Sequence, residues 1–318
     1  MKITVIGPGR WGSLITWYLA TRHHDVTLYG QKGTEHIESF LKTRRNSLLT
    51  LPDSVEVTTD ISLVAPAEVI VISIPSQALQ GLFDELKQFD IKNKIFVLCM
   101  KGIEISTGRR LSQIAEENLD PSNKIAVWLG PGHVQEFYHG IPNCMVIDSK
   151  CDKTKELLVK EFSSNLIRFY YGNDLIGNEI GAAAKNVIGI AAGFLDGIGL
   201  SSLKGALMAR GTREIARLIA SEGGNELSAY GLCHLGDYEA TVFSKYSHNR
   251  QFGESFVKKE KFESLAEGYY TVQALLKIGE KNKVDLPICE AVYDILFNEE
   301  DPVSVLDNLF SRAITNEF

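Results

Sequence analysis

The sequence predicts an α/β fold in which an N-terminal, mainly parallel, doubly wound sheet is followed by an all-α C-terminal domain. Three observations predict it. A glycine turn, Gly7-Pro8-Gly9-Arg10-Trp11-Gly12, joins a short apolar run to a helical stretch. Short apolar runs then alternate with helical stretches up to about residue 172. Beyond that point strand-like runs stop and long helical stretches take over. Alternation of this kind builds a parallel sheet with helices on both faces.

The elements follow in order. Lys2-Ile3-Thr4-Val5-Ile6 reads as a buried strand, Ser13 to Thr21 as a helix and Val26-Thr27-Leu28-Tyr29 as a second strand. Further strands are expected at 55–58, 68–74, 94–99, 124–129, 143–147 and 167–171. The helices of the second part are expected at 174–197, 202–223, 268–282 and 286–298. A strand, a glycine turn, a helix and a second strand form the context that a dinucleotide fingerprint requires. Gly7 permits the tight turn, Gly9 lets the backbone approach a pyrophosphate, and Gly12 lets the helix pack on the strand. The helix N-terminus offers free N–H groups to the phosphates. Residues 1–172 are therefore expected to form a dinucleotide-binding domain and 173–318 a helical substrate and catalytic domain.

The chain has 318 residues, 44% of them hydrophobic, so it can bury a sizeable core, and its length fits about two domains. A net charge of -7 argues against nucleic acid as partner. No apolar run is long enough to span a bilayer, and no signal peptide is expected at the N-terminus. The five cysteines (Cys99, Cys144, Cys151, Cys233, Cys289) are scattered and odd in number, without a Cys-x-x-Cys pair or a His/Cys cluster. That pattern fits a reducing cytosol and no structural metal.

Ligands of open α/β sheets bind beyond the C-terminal strand ends. Ser73-Ile74-Pro75-Ser76 follows the apolar run at 68–72, Met100-Lys101-Gly102 and Gly130-Pro131-Gly132-His133 follow the next two predicted strands, and all three are expected on one rim. Lys101 places an ammonium there, or is a plain loop lysine. The helix opening the second part carries a stripe of every fourth residue: Gly181, Lys185, Gly189, Gly193, Gly197. Residues four apart share a helix face. Each glycine there costs about 0.5–1 kcal/mol relative to alanine, so the stripe implies close approach of another backbone or a ligand. Lys185 is the only long side chain on it; desolvation suits it to proton transfer, and plain helix packing with a snorkelling lysine is the alternative. Downstream lie Asp237, Thr241, Asn249 and Arg250. Asp237 and Thr241 share a face if their segment is helical, and a guanidinium suits a phosphate.

Taken together, these residues resemble the soluble NAD(P)-dependent glycerol-3-phosphate dehydrogenases nearly end to end. The matching pieces are Gly-x-Gly-x-Trp-Gly at 7–12, Pro75-Ser76, Lys101-Gly102, Gly130-Pro131 and Glu179-x-Gly181-x-Ala183-x-Lys185-Asn186. They continue through Ala209-Arg210-Gly211, Gly236-Asp237 with Thr241, Asn249-Arg250, Glu267-Gly268 and Leu286-Pro287-Ile288. The resemblance implies reversible reduction of dihydroxyacetone phosphate, with NAD or NADP as cofactor and no metal. It implies Lys185 as general acid/base, supported by Asp237 and Lys101. Asn186, Thr241, His248, Asn249, Arg250 and Gly130 become substrate-binding candidates. Gly7, Pro8, Gly9, Arg10, Trp11, Gly12, Gln31, Lys32, Pro75, Lys101, Arg250 and Glu267 become cofactor-binding candidates. It further implies a cytoplasmic homodimer that feeds phospholipid synthesis.

Two positions depart from the family pattern. Where the family has Ser-Arg-Asn, this chain has Ser247-His248-Asn249; the family arginine grips substrate phosphate, and histidine is a weaker cation near neutral pH. After the second strand the family commonly carries arginine where Gln31 stands, next to Lys32. No acidic residue stands there to repel a 2′-phosphate, so NAD and NADP both stay open. A reductase of another small ketone and a non-catalytic dinucleotide-binding sensor are the alternative readings.

Overall fold

The computed structural model describes residues 1–314 and residue 316. It resolves into two compact units: Met1–Lys101 with Arg109–Glu179, and Gly102–Gly108 with Ile180–Phe318. The division falls inside a helix rather than in a linker.

The first unit is built on eight strands: β1 (Lys2–Ile6), β2 (Asp25–Tyr29), β3 (Glu56–Thr58), β4 (Val69–Ile72), β5 (Ile95–Leu98), β6 (Lys124–Leu129), β7 (Asn143–Ser149) and β8 (Ile167–Tyr171). The helices α1 (Arg10–Thr21), α2 (Glu35–Thr43), α3 (Leu79–Leu86), α4 (Leu111–Asn118), α5 (Val134–Tyr138) and α6 (Asp152–Phe162) lie between them. The strand order is β3-β2-β1-β4-β5-β6-β7-β8. Every pair is parallel except β6 with β7. The expected mainly parallel, doubly wound sheet is what forms. β4 is a buried apolar segment and β1 is buried beyond Lys2, Ile3 opposite Val69 and Val5 opposite Val71, as in strands covered on both faces. Helices and strands close a core that includes Tyr18, Phe40, Trp128 and Phe162. Its polar atoms are paired within it: Tyr18 donates to the Phe162 carbonyl and Trp128 Nε1 sits 3.0 Å from Met145 Sδ.

Strand order reverses between β1 and β4. At such a switch point the loops leaving the two carboxyl ends part and open a crevice. The loops after β1, β4, β5 and β6 all leave the same edge, because these strands are mutually parallel.

The second unit is helical. Most of α7 (Leu175–Gly197) belongs to it, with α8 (Lys204–Ser221), α9 (His248–Val257), α10 (Glu267–Asn282), α11 (Pro287–Phe297) and α12 (Pro302–Phe310). The excursion 102–108 joins it through the ammonium of Lys277, which donates to the Ile105 carbonyl at 2.7 Å. Among the described residues no helix is long and apolar enough to cross a membrane.

Candidate active site

The glycine turn after β1 has the shape that a pyrophosphate needs. Gly7 has a φ of +109°, and a Cβ there would lie 2.1 Å from the Ser73 carbonyl oxygen. A Cβ on Gly12 would lie 1.9 Å from the Gly7 oxygen, so only glycine lets α1 come this close to the turn. At Gly9, the N-cap of α1, a Cβ would meet nothing within 4 Å. The open space therefore lies where the first-turn N–H groups of a twelve-residue helix point outward, which is where an anion is stabilised. The turn is held by Gly7 N–H to the Tyr29 carbonyl at 3.0 Å and Ser73 N–H to the Ile6 carbonyl at 2.8 Å. Pro8, Arg10 and Trp11 are half-buried beside it, with Trp11 against Phe137 of α5. Gln31 and Lys32 are exposed just past β2, and exposed Pro75 follows β4. These residues fit a dinucleotide: a cradle too tight for side chains, open at one point to a ligand.

Lys101 and Gly130 meet on the same edge, beyond β5 and β6. The Lys101 ammonium donates to the Gly130 carbonyl at 2.6 Å. Gly130 holds a φ of +128°, and a Cβ on it would lie 3.0 Å from Met145 Cα. Glu179, from the Lys-Asn motif, is buried in the first unit, where it accepts from Arg110 Nη1 at 2.5 Å and from Ser112 N–H and Oγ. Burial raises its pKa against these partners.

In the second unit Lys185 is 8% exposed and lies on the glycine stripe of α7. Its ammonium is 2.8 Å from Asp237 Oδ2 and donates to Thr241 Oγ1 at 2.8 Å. The Thr241 hydroxyl in turn donates to the Asp237 carbonyl at 2.7 Å. Asp237 and Thr241 sit where a 3-10 turn (Leu235–Asp237) runs into a single π turn (Glu239–Phe243), not on an α-helix, and the two still face one lysine. Asn186, next to Lys185, accepts from Asn249 Nδ2 at 3.0 Å, and Asn249 Oδ1 accepts from Gly268 N–H at 2.9 Å. The first turn of α10, where half-buried Glu267 stands, is thereby tied to α7.

The glycine stripe is explained by close packing, against backbone at Gly193 and against side chains at Gly189 and Gly197. A Cβ on Gly189 would lie 2.7 Å from Thr241 Cγ2, one on Gly193 would lie 2.1 Å from the Arg250 carbonyl oxygen, and one on Gly197 would lie 2.1 Å from Val257 Cγ2. The stripe is the groove in which α9 lies, and its close packing lets Thr241 reach Lys185 and Asn249 reach Asn186.

Arg250 and His248 both lie in the first turn of α9, capped by Ser247, whose hydroxyl accepts from Arg250 N–H. The Arg250 guanidinium binds Asp196 at 2.6 Å, Glu254 at 3.0 Å and the Ser244 carbonyl at 3.2 Å. His248 packs edge-on to Phe262, with ring centroids 6.2 Å apart. Sequence reasoning missed Asp196, which also holds Lys204 at 2.6 Å. Its place on α7, eleven residues beyond Lys185, is the one signal that could have pointed to it.

The comparisons agree across the whole length. The family described as NAD-dependent glycerol-3-phosphate dehydrogenase N-terminus matches residues 2–155, and its C-terminus counterpart matches residues 174–307. The chain is 35% identical to a glycerol-3-phosphate dehydrogenase [NAD(P)+] from Chlorobium phaeobacteroides, covering 100% of this chain and 99% of that protein. It is 34% identical to another from Thermoanaerobacter sp., with the same coverage. A crystal structure of glycerol-3-phosphate dehydrogenase from Coxiella burnetii superposes with a TM-score of 0.90 at 25% identity, covering 98% of both chains.

Proposed function

This chain belongs to the NAD-dependent glycerol-3-phosphate dehydrogenase family, and from that premise we propose that it interconverts dihydroxyacetone phosphate and sn-glycerol 3-phosphate with Lys185 as the general acid/base. It is an NAD(P)-dependent dehydrogenase with a Rossmann-type domain. The observation that carries the proposed role of Lys185 is its buried bond to Asp237 and Thr241. When bound, the nicotinamide supplies a hydride to the carbonyl carbon or takes one from the alcohol carbon.

The chain's own residues do the rest. The turn at Gly7, Gly9 and Gly12 and the start of α1 hold the pyrophosphate, with Pro8, Arg10, Trp11, Gln31, Lys32 and Pro75 around it. Lys185 hydrogen-bonds the C2 oxygen and gives it a proton as C2 is reduced; in reverse it takes the hydroxyl proton. Asp237 and Thr241 fix the direction of the ammonium, and the carboxylate balances its charge away from water. Lys101, whose ammonium donates to the Gly130 carbonyl, serves as a second catalytic cation. Asn186, Asn249 and the first turn of α9 with His248 bind the phosphorylated end. Arg250 shapes that turn through Asp196 and Glu254. Glu267, in the first turn of α10, is a further cofactor-binding residue. The enzyme acts as a cytoplasmic homodimer that supplies glycerol 3-phosphate for phospholipid synthesis.

Purified protein tests the reading. It should oxidise NADH or NADPH when dihydroxyacetone phosphate is added, and faster than with an unphosphorylated 2-keto acid. The reverse preference would identify a reductase of another ketone, and no turnover with either would identify a nucleotide-binding sensor.

A further inference from the structure

We propose that His234 and Tyr238 are positioning residues of this enzyme, a pair of hydrogen-bonded rings that sets where Asp237 meets Lys185. The proposal rests on the reading of Lys185 as acid/base.

His234 and Tyr238 flank Asp237 on the irregular turn that carries it. Both rings are fully buried, with centroids 4.9 Å apart. His234 Nδ1 lies 2.8 Å from the Gly181 carbonyl oxygen, and a carbonyl only accepts, so Nδ1 carries the hydrogen. Nε2 is then the acceptor, and the Tyr238 hydroxyl donates to it at 2.7 Å. The same hydroxyl is 3.4 Å from Thr212 Oγ1 on α8. Gly181 lies four residues before Lys185 on α7, one turn away on the same face. The ring pair therefore fastens the turn bearing Asp237 to the turn of α7 that precedes Lys185, and to α8 on the far side. The fit leaves no slack: a Cβ on Gly181 would lie 3.0 Å from His234 Cβ.

The ionisable groups whose charge reaches His234 are Asp237 and Lys185, and those that reach Tyr238 are Glu214 and Cys289. Burial drives the His234 pKa down to about 4, against the Gly181 hydrogen bond and the nearby Asp237 charge. A neutral imidazole does not compete with the Lys185 ammonium for the Asp237 carboxylate. Both side chains are fully buried, so the pair acts through Asp237.

The test compares Lys185→Ala, His234→Ala, His234→Asn and Tyr238→Phe with the native enzyme. Each is assayed with dihydroxyacetone phosphate and NADH, and rates are referred to the NADH-binding fraction measured by fluorescence. His234→Ala should lower kcat by about ten- to a hundredfold, the scale of a small misplacement of a catalytic group, while KM changes less than about threefold. His234→Asn keeps a donor near the Nδ1 position and should recover most of kcat; Tyr238→Phe should fall between. An unchanged kcat in Tyr238→Phe, or His234→Asn no better than His234→Ala, overturns the proposal. Where His234→Ala does not fold, the Asn and Phe variants decide: a kcat lowered in Tyr238→Phe and near native in His234→Asn supports the proposal. Full turnover in Lys185→Ala removes the acid/base reading and this proposal with it. Turnover lost in Lys185→Ala but kept in His234→Ala removes this proposal alone.

Discussion

Gly193 of α7 faces the carbonyl of Arg250 so closely that a Cβ on it would come within 2.1 Å of that oxygen. The neighbour is backbone, so nothing nearby can rotate away. Gly193→Ala gains about 0.5–1 kcal/mol of helix propensity but pushes α9 off α7. The net expectation is destabilisation by about 1–3 kcal/mol, read as a lower midpoint in urea. Activity should fall with it, because α9 carries Asn249.

Two glycines of the first turn should separate folding from binding. Gly12→Ala meets the Gly7 oxygen at 1.9 Å and should destabilise the first unit. Gly9→Ala meets nothing within 4 Å and should leave the melting temperature unchanged. A methyl group there occupies the space assigned to the pyrophosphate, so the Kd for NADH should rise about tenfold or more, a cost of at least about 1.4 kcal/mol. Thermal melts and NADH fluorescence titration of both variants check this.

Glu214 makes the stability depend on pH. It is buried and accepts from Ile288 N–H at 2.8 Å and Cys289 N–H at 3.0 Å at the start of α11. Burial pushes its pKa from 4.5 to about 7, against those hydrogen bonds. The folded chain thus holds a proton over this window that the unfolded chain has lost. This stabilisation is full below pH 4.5 and is lost as pH rises to about 7. The shift corresponds to roughly 3 kcal/mol. Glu214→Gln should flatten the slope of stability against pH across that window, measured by urea unfolding at a series of pH values.

Asp196 holds two cations at once, Lys204 and Arg250, each at 2.6 Å. Asp196→Ala leaves Lys204 without its carboxylate in a mostly dry site, while Arg250 keeps Glu254, and should destabilise the second unit by about 3 kcal/mol. Asp196→Asn should cost less, because the amide oxygen can still accept one bond. Unfolding curves for the two variants distinguish the outcomes.

Most of the fold was legible because parallel strands buried on both faces leave apolar runs such as Val69–Ile72 and Ile95–Leu98. The ends were less so: Ile74 prolongs the apolar look of β4, but the strand ends at Ile72 and the chain turns into the loop. The helices at His248–Val257 and Pro302–Phe310 were missed. The first reads as a polar cluster because its face toward α7 is built on Gly253, whose Cβ position lies 2.2 Å from the Ile190 carbonyl oxygen. The second is short and polar around Asp301, its cap. Lys185 stood out as the one long side chain among glycines, but its meeting with Asp237 is a contact 52 residues apart that no local pattern encodes. His234 left no sequence signal, since its role lies in a ring buried against the carbonyl of Gly181.

The most direct test of the central claim is the turnover of Lys185→Ala with dihydroxyacetone phosphate near neutral pH, alongside its Kd for NADH. Loss of a proton donor predicts a kcat lowered by about 10²–10⁴ with nucleotide affinity unchanged. A kcat within tenfold of the native enzyme, at equal affinity, would contradict the account.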